Sequence, residues 1–323
     1  MNDNRASIVE KLRQKWSGNA EEIGDTNGIP TGDMPGDKVK IGPQHIQKSL
    51  VIFPKLLELL APVLESSPCQ RAVVVVCGGS GVGKSEIASL ISLYLNRMGL
   101  GAYTLSGDNY PHRIPKYNDA ERLRIFRRAG LSGLIAQGQY LKDRPAILKG
   151  LQARGTDCDP ALVKDYPWLD LYQQAGRSGL KNYLGTPNEI DFRELSGIVA
   201  QFKNGATSIF LKRMGREEAE LWYEPVDFTG KNILVIEWTH GNNHNLQGVD
   251  IPILLNSTPQ ETLEHRRARN RDGGTDSPFT TMVLEIEQEM LFSQAPKAKL
   301  ILSKSGKLLS YAEYLALSRP EQA

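Results

Sequence analysis

The run GGSGVGKS, residues 78–85, has the spacing G-x-x-x-x-G-K-[ST]. Glycines in such a run let successive backbone N–H groups turn toward an anion, and the helix that opens behind them adds its positive end. The amides of Gly78, Gly79, Ser80, Gly81, Val82, Gly83, Lys84, Ser85 and Glu86 are therefore candidates for gripping a nucleotide triphosphate. Lys84 would neutralise β and γ oxygens and Ser85 would ligate magnesium, so ATP and Mg2+ are the expected cofactors. Asp108, in LSGDNYPHR, follows the next apolar stretch and is a candidate general base that takes the proton of an attacking hydroxyl. Glu237 closes the apolar run ILVIE, where it would hold magnesium through water or position Asp108. Arginines 266, 267, 269 and 271 crowd one short predicted helix, suited to the charge on a transferring phosphoryl group. Lys212, Arg213 and Arg216, in LKRMGREE, form a second basic cluster that would suit an anionic acceptor, or would pair with Glu217 and Glu218. His240 and His244 lack visible companion ligands and read as part of a polar loop, whereas Trp222 and Tyr223 read as core packing.

These residues need a scaffold, and the pattern supplies one. RAVVVVC, residues 71–77, predicts a central parallel strand, 84–98 a helix, and AYTLS a second strand. Further strands are expected at 207–211, 232–237, 250–256 and 298–303, with helices at 188–204, 259–271 and 280–294. Three helices fill a stretch of about 116–180, which reads as an insertion. Upstream, 6–16 predicts a short docking helix, 17–44 a long loop, and 44–65 a helical layer that Pro54 and Pro62 should break or bend. The expected fold class is α/β, a three-layer P-loop NTPase-type fold with a mainly parallel central sheet, an N-terminal helical extension and a helical insertion. Its divisions are 1–69 for the extension and loop, 70–310 for the catalytic domain, and 311–323 for a C-terminal tail.

With 323 residues, 40% of them apolar, the chain can bury a core without staples. A formal charge of +2 gives no general reason to bind nucleic acid or an anionic membrane, and no run approaches the length of a membrane span. Cys69, Cys77 and Cys158 have no paired spacing, and the first residues lack an apolar signal region, so a reducing cytoplasm is expected. Homo-oligomerisation is left open.

In combination, these motifs resemble the P-loop kinases of the uridine kinase, phosphoribulokinase and pantothenate kinase group. SGDNYPHR resembles that group's Asp-centred substrate motif, which implies acceptor roles for Asp108, Tyr110, His112 and Arg113. YLGTPNEIDFRELSGIVAQFKNG, residues 183–205, is similar to its acceptor-pocket wall. VIEWTHG resembles its magnesium-supporting strand end, with Trp238 where the group usually has Gly. HRRARNRDGG resembles its lid, which implies that Arg267 and Arg271 are catalytic. The implied activity is an ATP-dependent small-molecule kinase moving the γ-phosphate to a hydroxyl of a sugar, sugar phosphate, nucleoside or related alcohol, with Asp108 and Lys84 central and Lys212, Arg213 and Glu237 near the acceptor. A regulatory NTPase acting on a protein partner and an adenylylsulfate-type kinase are the alternatives.

Overall fold

A computed structural model describes Leu12, Ile29 and residues 31–258, 260–264 and 277–318. Six strands form the main sheet in the order β2-β5-β1-β6-β7-β8, where β1 is Ala72–Gly78, β2 Gly101–Ser106, β5 Lys231–Glu237, β6 Ile251–Leu255, β7 Leu300–Leu302 and β8 Leu308–Leu309. All pairings are parallel except β7 with β8. Both faces are covered, as the unbroken apolar run of β1 requires. Odd residues of β1 such as Val73 and Val75 join one buried cluster, and even ones such as Val74 and Val76 join the other.

The even face packs against α1 (Pro43–Ser66) and α2 (Lys84–Arg97). Contrary to expectation, α1 runs unbroken through Pro54 and Pro62. It buries Ile52, Phe53, Leu56, Leu57, Leu60 and Leu64, each worth about 1.5–3 kcal/mol, against a cost of ~3 kcal/mol for each internal proline. Burial outweighs the lost hydrogen bonds, and the helical extension is part of the domain core rather than an appendage. The docking helix expected at 6–16 lies outside the described residues, apart from the buried Leu12.

The 116–180 stretch is helical as expected, with α3 (Pro115–Ala136), α4 (Arg144–Arg154) and α5 (Leu169–Lys181) around its own core. α6 (Phe192–Lys203) lies on the odd face with α7 (Pro278–Gln294) further along the chain. β3 (Ser208–Met214) and β4 (Leu221–Asp227) make a separate antiparallel hairpin. β4 carries Pro225 and is exposed along most of its length, so no apolar alternation announced it. Trp222 and Tyr223 are 42% and 51% exposed rather than core. The stretch 311–323, read as a tail, begins with a helix, α8 (Tyr311–Ser318), whose Tyr314 is buried in the odd-face cluster.

Candidate active site

Parallel strands deliver their carboxyl ends to one edge, and there the register sets the geometry. β1 gives way to the glycine turn, in which Gly81 and Gly83 take φ of 78° and 96°, and α2 opens at Lys84. Lys84 Nζ donates to the Gly79 carbonyl, 3.1 Å away, folding the lysine over the loop where a phosphate tail would lie. Ser106 of β2 pairs with Glu237 of β5, so their side chains meet: Ser106 Oγ donates to Glu237 Oε1 at 2.6 Å. Ser85 Oγ donates to Glu237 Oε2 at 2.9 Å. Burial, followed by the charge of Asp108, pushes the Glu237 carboxyl up to about 8, against the pull of Ser106, Lys84 and Ser85.

Asp108 sits in the 3-10 turn Gly107–Asn109 just past β2 and is exposed, unlike its two buried neighbours. It faces a cavity of about 250 Å³ that also contains Ser80 of the phosphate loop. That shared cavity brings the loop and the acid together. Gly107 is needed for this arrangement, because a Cβ there would stand 2.1 Å from the Trp238 ring, which lines the same cavity. Trp238, where the resembling group has Gly, is thus accommodated by a glycine on the adjacent strand end.

The opposite wall comes from the stretch read as an insertion, from the 183–205 stretch whose resemblance implied a pocket wall, from the polar loop after β5 and from the helix expected at 280–294. Asn118, Asp119 and Arg122 project from α3, Glu189 and Ile190 from the turn before α6, His240 from the loop after β5, and Glu287 from α7. Arg122 Nε donates to the fully buried Glu189 Oε1 at 2.5 Å, and Asn118 Nδ2 donates to the same oxygen at 3.0 Å. Burial opposes the Glu189 charge, but Arg122, His240 and the Gly185 amide outweigh it and hold the carboxyl below the usual range. Burial depresses His240 to about 4, so its imidazole is neutral near pH 7. Among the described residues, His240 Nδ1 and Asn118 Oδ1 are buried without a hydrogen-bond partner. Burial pushes the Glu287 carboxyl up, against the pull of Arg122.

Several expected contacts are redirected. Arg113 lines the cavity and donates to Tyr183 Oη at 3.0 Å. Tyr110 does not line it: its ring is fully buried in the odd-face core. His112 turns outward, its Nε2 3.0 Å from the Pro187 carbonyl oxygen. Lys212 is buried and donates to the Pro111 carbonyl, and Arg213 is buried between Asp33 and Glu224, so neither reaches the cavity. Burial explains both corrections, since the strand that carries these cations packs inward at its end. Arg216, beyond the strand, does line it. Arg267 and Arg271 lie outside the described residues. Of the residues missed, Glu189 lies within the 183–205 stretch that suggested a pocket wall; Asp33 had no local signal, because its partners are all distant in sequence.

The model of the adenylylsulphate kinase family matches residues 70–137, from the start of β1 into the end of α3. An adenylyl-sulfate kinase of Shigella boydii is 38% identical over 137 residues, covering 36% of this chain and 68% of that enzyme. The chain belongs to the P-loop kinases. A bifunctional alpha-galactosidase/sucrose kinase of Mediterraneibacter gnavus is 38% identical over 252 residues, which is 78% of this P-loop kinase but only 22% of that protein. The chain therefore spans about a fifth of that relative's length. A solved D-glycerate 3-kinase from Cryptococcus neoformans superposes with a TM-score of 0.45 at 13% identity, covering 84% of this chain and 99% of that one. Among the described residues no helix is long and apolar enough to cross a membrane.

Proposed function

We propose that this P-loop kinase transfers the γ-phosphate of ATP to a hydroxyl of an uncharged sugar. The observation that carries the reading is the charge of the cavity wall beyond the phosphate loop. Five carboxyl groups (Asp37, Asp108, Asp119, Glu189 and Glu287) stand against three guanidinium groups (Arg113, Arg122 and Arg216), with burial shifting Glu287 toward its neutral form. Of the three, Arg122 is engaged by Glu189 and Arg113 by Tyr183. Such a wall repels a sugar phosphate or a nucleotide sulfate and suits a polyhydroxyl compound, whose O–H groups donate to carboxylates. Neutral His240, Asn118 and the largely buried Trp238 ring complete the lining with uncharged groups. The relative named as a sucrose kinase supports a sugar acceptor. The adenylylsulfate alternative draws on the 70–137 match, but that stretch holds the phosphate loop, Asp108 and α3 and omits Glu189, His240 and Glu287.

In this mechanism the loop amides and Lys84 hold the triphosphate and leave its terminal phosphorus toward the cavity. Asp108 accepts the proton of the attacking sugar hydroxyl as its oxygen meets that phosphorus. The oxygen donors Ser85 and Glu237, 2.9 Å apart, suit Mg2+, which takes few protein ligands beside phosphate and would screen the charge of the triphosphate when bound. Arg267 and Arg271 would offset the charge that spreads over the transferring phosphoryl group. Three free cysteines, two of them buried, support action in a reducing cytoplasm. ADP release tests the reading: it should rise at least about tenfold when an uncharged sugar such as sucrose is added and stay at its basal rate with sugar phosphates. Stimulation by phosphorylated sugars alone would refute it.

A further inference from the structure

The segment before α1 makes an unexpected contact with the catalytic edge. Asp33 Oδ1 accepts from the Ser106 amide at 2.7 Å and from Asn109 Nδ2 at 3.1 Å. Its Oδ2 accepts from Tyr103 Oη at 2.9 Å and from Arg213 Nη1 at 2.8 Å. The pair is buried, with side chains 9% and 5% exposed, and Arg213 reaches on to Glu224 while Asn109 Oδ1 accepts from the Met214 amide. One carboxylate therefore holds residues on both sides of Asp108 and ties them to the end of the β3 strand. Gly32 lies against Glu237, where a Cβ would come within 3.1 Å of Oε1. Two further residues of the segment, Met34 and Asp37, line the acceptor cavity.

These contacts differ in kind from the phosphate loop's. Among the described residues, every hydrogen-bond partner of the Asp33 side chain belongs to β2, the Asp108 turn or the hairpin, and none to residues 78–86. A shift of about 1 Å in a reacting group can cost roughly 10²-fold in rate, so whatever fixes the 106–109 turn governs transfer. Four charge-assisted or neutral donors converging on a buried carboxylate fix it firmly.

We propose that Asp33 is a positioning residue for phosphoryl transfer, and that the strap it anchors, residues 32–37, is a wall of the acceptor site with Met34 and Asp37 as specificity-determining residues. The proposal rests on the reading of this cavity as the acceptor site. Without the Asp33 carboxylate, the turn loses two of its restraints, Arg213 keeps one carboxylate, Glu224, beside the Tyr103 hydroxyl and the Lys212 carbonyl, and Asp108 no longer stands in register with the phosphate loop.

The test uses the full chain, with sucrose as acceptor and a non-hydrolysable ATP analogue for binding. Asp33→Ala should lower kcat at least about tenfold while the analogue's Kd stays within about twofold. Asp37→Ala and Met34→Ala should each raise the KM for sucrose about three- to tenfold with the KM for ATP unchanged. Asp33→Ala with wild-type kcat, or with analogue binding weakened in proportion to turnover, would overturn the positioning role. An unchanged sucrose KM in both wall variants would overturn the wall, and these half-exposed substitutions report even if Asp33→Ala fails to fold. Failure of the wild-type chain to phosphorylate any uncharged sugar would instead strike the underlying functional reading, which separates the two.

Discussion

Two carboxylates share the catalytic edge and their environments divide the work between them. Asp108 opens onto the cavity, whereas Glu237 is buried beneath two serine hydroxyls and pushed up to about 8 by burial. Asp108→Asn keeps the shape but removes the proton acceptor, so turnover should fall about 10²- to 10⁴-fold while ATP-analogue affinity holds, as read by steady-state kinetics beside titration calorimetry. Unchanged turnover would take Asp108 out of the mechanism. For Glu237 the consequence is a pH dependence. Its folded pKa exceeds the unfolded value, so the folded state binds more protons between about 4.5 and 8. The stability it contributes is full at low pH and is lost as pH rises through 8. Glu237→Gln does not titrate, so the ligand-free variant's melting temperature should gain on the wild type's between pH 5.5 and 8.5. A difference that stays constant over that range would contradict the raised carboxyl.

At the scale of elements, what could be read from sequence was what local pattern determines. The run of valines in β1, the glycine turn and α2 are contiguous, so strand, loop and helix were legible together, and Asp108 followed from its place after the next strand. Legibility ended where distant segments decide. Pro54 and Pro62 argue for a break that only the tertiary burial of α1 overrides. The cations of β3 look available in sequence, yet Arg213 is consumed by Asp33, 180 positions away. The α3 helix looked like an inserted layer, although four of its residues wall the cavity. Its Arg122 also neutralises Glu189, which has no exposure of its own. Arg122→Ala leaves that carboxylate buried and uncompensated, which should cost about 3–5 kcal/mol in a denaturant titration and weaken acceptor binding. A loss below ~1 kcal/mol would mean that Asn118 and the Gly185 amide suffice alone.

At the scale of the whole molecule, a sheet buried on both faces presents its strand ends to a phosphate loop on one side and a carboxylate-rich wall on the other, with Asp108 between them. In the proposed function, nucleotide binding by residues 78–86 and choice of acceptor by the wall are separable, because the two are built from different parts of the chain. The matched stretch 70–137 supplies the first and only part of the second. The most direct measurement is a competition: the purified chain, ATP and Mg2+ with equal concentrations of sucrose and adenylyl sulfate in one vessel, the products resolved by mass spectrometry. The expected result is a phosphorylated sugar with adenylyl sulfate untouched. Phosphorylated adenylyl sulfate with no sugar phosphate would contradict the assignment of the carboxylate-rich cavity to an uncharged acceptor.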